Sequence, residues 1–118
     1  MKPHTLASPV WTQAAAAAAW REDDHVQERR ELFAERRRIM VDVLASRGLT
    51  LYPGNALLFL WVQVPAGETD ESYTQRLFEA GILVAPGSFF GPGQERFVRL
   101  ALVPTAHDCR DVAEVWPR

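Results

Sequence analysis

Six apolar residues stand in a row at Leu57-Leu58-Phe59-Leu60-Trp61-Val62, between the turn-forming Tyr52-Pro53-Gly54-Asn55 and the break at Pro65-Ala66-Gly67. The run has no polar alternation and is bounded as strands are, which fits a strand covered on both faces. A chain built around such a strand must supply the cover itself or borrow it.

The remaining sequence supplies helices. Ser8-Pro9 opens the first, with a hydroxyl to cap and a proline for the first helical position. Ala14 to Ala19 has the highest helix propensity available, small enough for another backbone to approach, with Trp11 and Trp20 placed to pack at either end. Asp23 or Asp24 caps a second helix from about His25 to Arg47, stopped by Gly48. Its second half carries the stripe Leu32, Phe33, Ile39, Met40, Val43, Leu44. A third helix runs from about Asp70 to Ala80 behind Thr69, with Tyr73, Leu77 and Ala80 on one side and Gly81 as its stop. Ile82-Leu83-Val84 predicts a short strand, Pro86 to Gly93 a glycine- and proline-rich loop, and Phe97 to Val103 the last strand. Thr105, with Asp108 three residues on, opens a final helix whose apolar face holds Cys109, Val112, Ala113 and Trp116. The order α-α-β-α-β-β-α predicts a small helix-covered sheet of the α+β class.

Composition removes several functions. The 118 residues make one domain's worth of chain with a net charge of −2, which offers no basic field to nucleic acid or anionic lipid. The six arginines between Arg21 and Arg38 are matched by six acids, and Glu35 has ion-pair spacing to Arg38, so that stretch reads as a solvated helix face. No apolar run approaches the roughly 20 residues that span a bilayer, and Met1 to Thr5 lacks the pattern of a signal peptide. The single cysteine, Cys109, forbids an internal disulfide and reads as a buried structural thiol; a cytoplasmic setting is the expectation. His4, His25 and His107 have no second ligand at metal spacing, and no serine sits in a nucleophile elbow. Lys2 is the only lysine. Chemistry that needs a buried amine therefore has one poor candidate, and no catalytic residue is assigned.

Arg99 is the first candidate for a site. Phe97, Arg99 and Ala101 share one face of the last strand, and Val98, Leu100 and Leu102 share the other. An arginine in so apolar a strand either pairs with an acid or faces a wet cleft, where its planar fork suits a carboxylate. Gly87, Phe89, Phe90 and Gly91 form the loop before it. That loop reads either as a close approach to a ligand or partner, or as an irregular connection stapled by its own aromatics. It is no phosphate loop, having neither a lysine-serine pair nor a G-x-G-x-x-G run.

The stretch from Gly81 to Leu102 resembles the C-terminal signature of class I/II, fold-type I aminotransferases, in which a V-x-P-G-x-x-F-G loop leads to a strand x-x-R-[LIV]-x-[LIV]. Val84, Pro86, Gly87, Phe90, Gly91 and Arg99 fill those positions. Gly54 with Leu58 to Val62 and Pro65 resembles the family's G-x-x-F-Y-L-W-V-x-x-P strand, with Phe59-Leu60 where F-Y is commoner. P-H-T-x-x-S-P-V near the start and L-V-P-T near the end look most like bacterial N-succinyldiaminopimelate aminotransferases.

The resemblance implies that residues 1–118 are the C-terminal small domain of such an enzyme. Arg99 then matches the arginine holding the substrate α-carboxylate, with Gly87, Phe89, Phe90 and Gly91 nearby. It implies pyridoxal 5′-phosphate in the intact enzyme and none held by this chain alone, since the Schiff-base lysine, the aspartate for the pyridine nitrogen and the phosphate cradle lie upstream. It further implies an amino-acid and 2-oxo-acid substrate pair, a large domain of the same chain and a homodimer. By itself the chain is expected to be inactive. The alternative is a free-standing, non-catalytic interaction module that reuses this fold.

Overall fold

A computed structural model describes residues 7–55 and 58–118. Four helices, α1 (Val10–Arg21), α2 (Asp24–Ser46), α3 (Asp70–Glu79) and α4 (Ala106–Val115), accompany three strands, β1 (Phe59–Gln63), β2 (Ala85–Pro86) and β3 (Phe97–Ala101). The strands form one antiparallel sheet in the order β1-β3-β2, with Trp61 opposite Arg99 and Ala85 opposite Arg99 on the other side. The α+β reading and the order of the elements hold.

Alternation along the strands decides where the core sits. Leu60, Val62, Val98 and Leu100 turn to the same side and are buried. Against them pack Met40, Val43 and Leu44 of α2, Tyr73 and Leu77 of α3, and Cys109 of α4. Leu44, Val62, Leu77, Val98 and Leu102 are wholly inaccessible. All the described helical cover therefore lies on one face. The expectation that the apolar run is covered on both faces fails for the described residues, because Phe59 is 40% exposed and Trp61 only half-buried. Of the run's start, Leu57 lies outside the described residues.

Helix ends follow backbone chemistry. α2 and α3 both close in the Schellman manner: Leu49 N–H donates to Leu44 and Gly48 to Ala45, while Ile82 donates to Leu77 and Gly81 to Phe78. The glycines occupy the left-handed region, with φ of 70° at Gly48 and 85° at Gly81. This cap displaces the predicted Ile82–Val84 strand. The Ile82 amide is committed to the helix, so sheet pairing starts only at Ala85, although Ile82 and Val84 still bury their side chains. Thr69 and Thr105 cap α3 and α4 as their sequences predict, each in a reciprocal box with Ser72 or Asp108.

Three further expectations are corrected. Ser8 makes no side-chain cap; Pro9 takes the cap position, and the Ser8 carbonyl accepts from Gln13 Nε2 at 2.6 Å. Trp11 and Trp20 stand exposed, and α1 buries no residue. The Cα radius of gyration, 18.7 Å, accordingly exceeds the roughly 13–14 Å of a compact chain this long. Glu35 pairs with Arg110 at 3.0 Å instead of Arg38, while Arg36 and Arg37 donate to the carbonyls of Val103 and Gly54. Part of the arginine-rich helix is thus pinned to loops, because those carbonyls have no ladder partner.

Candidate carboxylate-binding face

The uncovered face of the sheet carries a row of aromatic side chains. Trp61 stacks on Phe97 with ring centroids 5.7 Å apart and meets Phe90 edge-on at 5.5 Å. Tyr52 extends the row against Phe97 at 6.1 Å. Into this row β3 places Arg99, whose guanidinium carbon lies 4.3 Å from the ring centroids of both Phe59 and Phe90. Strand alternation puts it there, on the face of Phe97 and Ala101, as its position in the strand predicts.

Two ring contacts hold the guanidinium plane by cation–π attraction, about 0.5–2 kcal/mol each, and its N–H fork has no hydrogen-bond partner among the described residues. No carboxylate pairs with Arg99 among the described residues. Among the described residues the guanidinium meets two aromatic rings in place of a surface acid. A half-buried guanidinium fork beside aromatic rings suits an oxyanion presenting two oxygens, such as a carboxylate or a phosphate.

The preceding loop shapes this face from below. Gly87 to Phe90 form a short 3₁₀ turn, and Gly91 follows with φ 119°. Gly87 is buried because its own chain folds over it. A Cβ there would lie 1.9 Å from the Gln94 carbonyl oxygen and 2.6 Å from that of Phe97. Its close approach is thus to backbone of the same loop. Phe90 turns to Arg99, whereas Phe89 is 78% exposed and makes none of the face's ring contacts. Of the five residues singled out in the sequence, the structure brings Phe90 and Arg99 together, seats Gly87 and Gly91 at the hinges of the turn, and leaves Phe89 outward.

Sequence reasoning overlooked three contributors. Phe59 and Trp61 were read as core, yet their register opposite Ala101 and Arg99 puts them on the open face. Asp70 was read only as the start of a helix. It is 2% exposed, and its Oδ2 accepts from the Ser88 amide at 2.8 Å, tying α3 to the turn that carries Phe90. Burial pushes its carboxyl pKa up, but hydrogen bonds from Ser88 and nearby backbone amides outweigh this and hold it below the ordinary value. The signal was an aspartate at an N-terminal position where Thr69 already caps.

Other candidates stay structural. Cys109 is buried, and desolvation raises its thiol pKa. His107 meets Asp111 at 2.8 Å on the exposed side of α4. No group of three metal-ligating side chains exists among the described residues, and no described helix is long and apolar enough to cross a membrane. His4 and Lys2 lie outside the described residues.

The fold is an α+β arrangement shared with solved aminotransferases. Residues 1–115 match the family "aminotransferase class I and II", and the chain belongs to that family. It is 39% identical over 102 residues to the 4-dedimethylamino-4-oxo-anhydrotetracycline transaminase OxyQ of Streptomyces rimosus, covering 86% of this chain and 27% of that protein. With the LL-diaminopimelate aminotransferase of Aquifex aeolicus it shares 38% identity over 85 residues, 70% of this chain and 22% of that one. Among solved structures, one described as a probable N-succinyldiaminopimelate aminotransferase from Thermus thermophilus superposes with a TM-score of 0.64. That match has 38% identity and covers 71% of this chain and 23% of the other. The chain thus spans about a quarter of the length of the relatives it matches.

Proposed function

We propose that residues 1–118 form the C-terminal small domain of a pyridoxal-phosphate-dependent aminotransferase and supply its grip on the substrate α-carboxylate through Arg99. The observation that carries this is the Arg99 guanidinium, sandwiched between Phe59 and Phe90 with its fork free of any described acid. A substrate carboxylate docked there in bidentate fashion fixes two points of a flexible amino acid. The rings prevent the guanidinium from swinging away, and they shed water from around the ion pair, which strengthens it. The work is orientation: holding the Cα substituents in one geometry converts a loose encounter into a near-attack arrangement.

Pyridoxal 5′-phosphate, when bound, supplies the electron sink of transamination. Among the described residues there is no lysine, Lys2 being the only one in the sequence. In this reading the cofactor's anchors belong to a large domain of the same polypeptide, packed against the open aromatic face. A cytoplasmic homodimer is part of the same reading.

For the amino donor, N-succinyl-LL-diaminopimelate with 2-oxoglutarate as acceptor is the substrate pair favoured by the sequence texture and by the description of the Thermus thermophilus neighbour. The test uses the full-length protein with N-succinyl-LL-diaminopimelate and LL-diaminopimelate side by side. A kcat/KM at least tenfold higher for the succinylated substrate supports the assignment, and the reverse order refutes it. Arg99→Ala should cost about 3 kcal/mol or more, a hundredfold or more in kcat/KM, while the cofactor's visible absorbance persists. Unchanged turnover in that variant would remove Arg99 from the site.

A further inference from the structure

A second cleft, of about 530 Å³, opens between the end of α2, the turn after β1, α3 and the last residues of the chain. Arg99 does not line it. Four arginines do, Arg47, Arg76, Arg96 and Arg118, contributed by four separate segments, and Glu68 is the one acid among the described lining residues. In a chain whose net charge is −2, this is a strong local concentration of positive charge.

Elsewhere Arg36 and Arg37 donate to backbone carbonyls and Arg110 pairs with Glu35. Of the cleft's four, Arg47 likewise donates to the Ala113 carbonyl. Arg96 and Arg118 are exposed and have no ion-pair partner among the described residues. Arg76 donates to Glu68 and to the Arg118 carbonyl, yet its Nε is shielded from solvent and has no partner among the described residues. Tyr73 lines the cleft while only 1% exposed. Its oxygen accepts from Trp116 Nε1 at 3.1 Å, which leaves its own O–H proton to be donated elsewhere. Burial raises the phenol pKa, so that proton stays in place at neutral pH. Among the described side chains the cleft therefore sets four guanidinium groups, two of them unpartnered, against one carboxylate.

We propose that this cleft is a second ligand site, which binds a small anion carrying two or more carboxylate or phosphate groups. One charged group alone would leave Arg96 or Arg118 unanswered, and two forks set around a cleft suit two planar or tetrahedral oxyanions at once. The volume lies within the ~300–1,000 Å³ usual for small-molecule sites. The proposal does not rest on the assignment of Arg99.

The experiment is isothermal titration of the full-length protein with inorganic pyrophosphate and, separately, with citrate, at fixed ionic strength. At least one probe should bind saturably. Arg96→Glu should weaken that binding at least tenfold, and Arg118→Gln at least threefold, with circular dichroism unchanged. Arg99→Ala should leave it within twofold. Pyrophosphate preferred over citrate makes the natural ligand a phosphate ester, and the opposite order makes it a polycarboxylate. Absence of saturable binding by both probes overturns the proposal, as does binding that ignores Arg96→Glu and Arg118→Gln or disappears in Arg99→Ala.

Discussion

Replacing Gly87 with alanine tests the claim that the loop before Arg99 is held by its own backbone. Gly87 lies outside the left-handed region, so an alanine there incurs no torsional penalty of the kind expected at Gly91, with φ 119°. The cost is steric. The new Cβ would stand 1.9 Å from the Gln94 carbonyl oxygen, and an ordinary contact of 3.4 Å requires one segment to retreat by about 1.5 Å. Both obstructing atoms are backbone, the second belonging to Phe97 at the head of β3, so no side-chain rotation relieves the clash. Overpacking of this kind costs about 3 kcal/mol, the upper end of the usual range, out of a total domain stability of about 5–15 kcal/mol. With a urea slope of about 1.5 kcal/mol/M, the unfolding midpoint should fall by about 2 M. A shift of that size also carries Phe90 away from Arg99, so in the full-length enzyme the amino-acid KM should rise while cofactor absorbance stays. Gly91→Ala meets nothing within 4 Å and should cost only about 1–2 kcal/mol, from its backbone angle. A Gly87→Ala protein within 1 kcal/mol of the parent, with an unchanged KM, would refute the reasoning.

Asp70→Asn should destabilise the protein by about 1–3 kcal/mol in urea unfolding, because the Ser88 amide exchanges a charged, buried acceptor for a neutral one. Since the Asp70 pKa is lower in the folded state, its contribution is present above the ordinary value of 3.8 and is lost as pH falls through the folded value. The difference between parent and Asp70→Asn should accordingly shrink below about pH 4, and a constant difference down to pH 2 would contradict the assignment. Leu44→Ala, at a site with no exposure, should cost about 2–5 kcal/mol by the same assay. Thr69→Ala removes a cap from α3 and should cost about 1 kcal/mol, read as a proportionate drop in the urea midpoint.

Much of the architecture was legible because it depends on local chemistry. Gly48 and Gly81 end helices by supplying a left-handed residue, and Thr69 and Thr105 begin them by accepting from the third amide, whatever surrounds them. Period-two alternation put Arg99 on the opposite face from Val98 and Leu100 without reference to any neighbour. The V-x-P-G-x-x-F-G pattern with Arg99 was enough to point to the aminotransferase family.

Tertiary structure decided which apolar residues were core and which were not. Nothing within Leu58 to Val62 separates Leu60, buried at 4%, from Phe59, exposed at 40%; the difference is that all the described helical cover stacks on one side of the sheet. The Ile82 amide has two rival acceptors, helix cap and sheet neighbour, and only the closed Schellman turn settles which receives it. Asp70 and Ser88 are eighteen residues apart, so their bond is a product of packing α3 against the loop. The arginines of the second cleft come from segments spread across the chain, and no local pattern could have gathered them. Local rules set the element ends and the side a residue faces, because those energies arise within a turn or two of backbone. Which side becomes interior, and which charges come together, follow from contacts between distant segments, which exist only once the chain has folded.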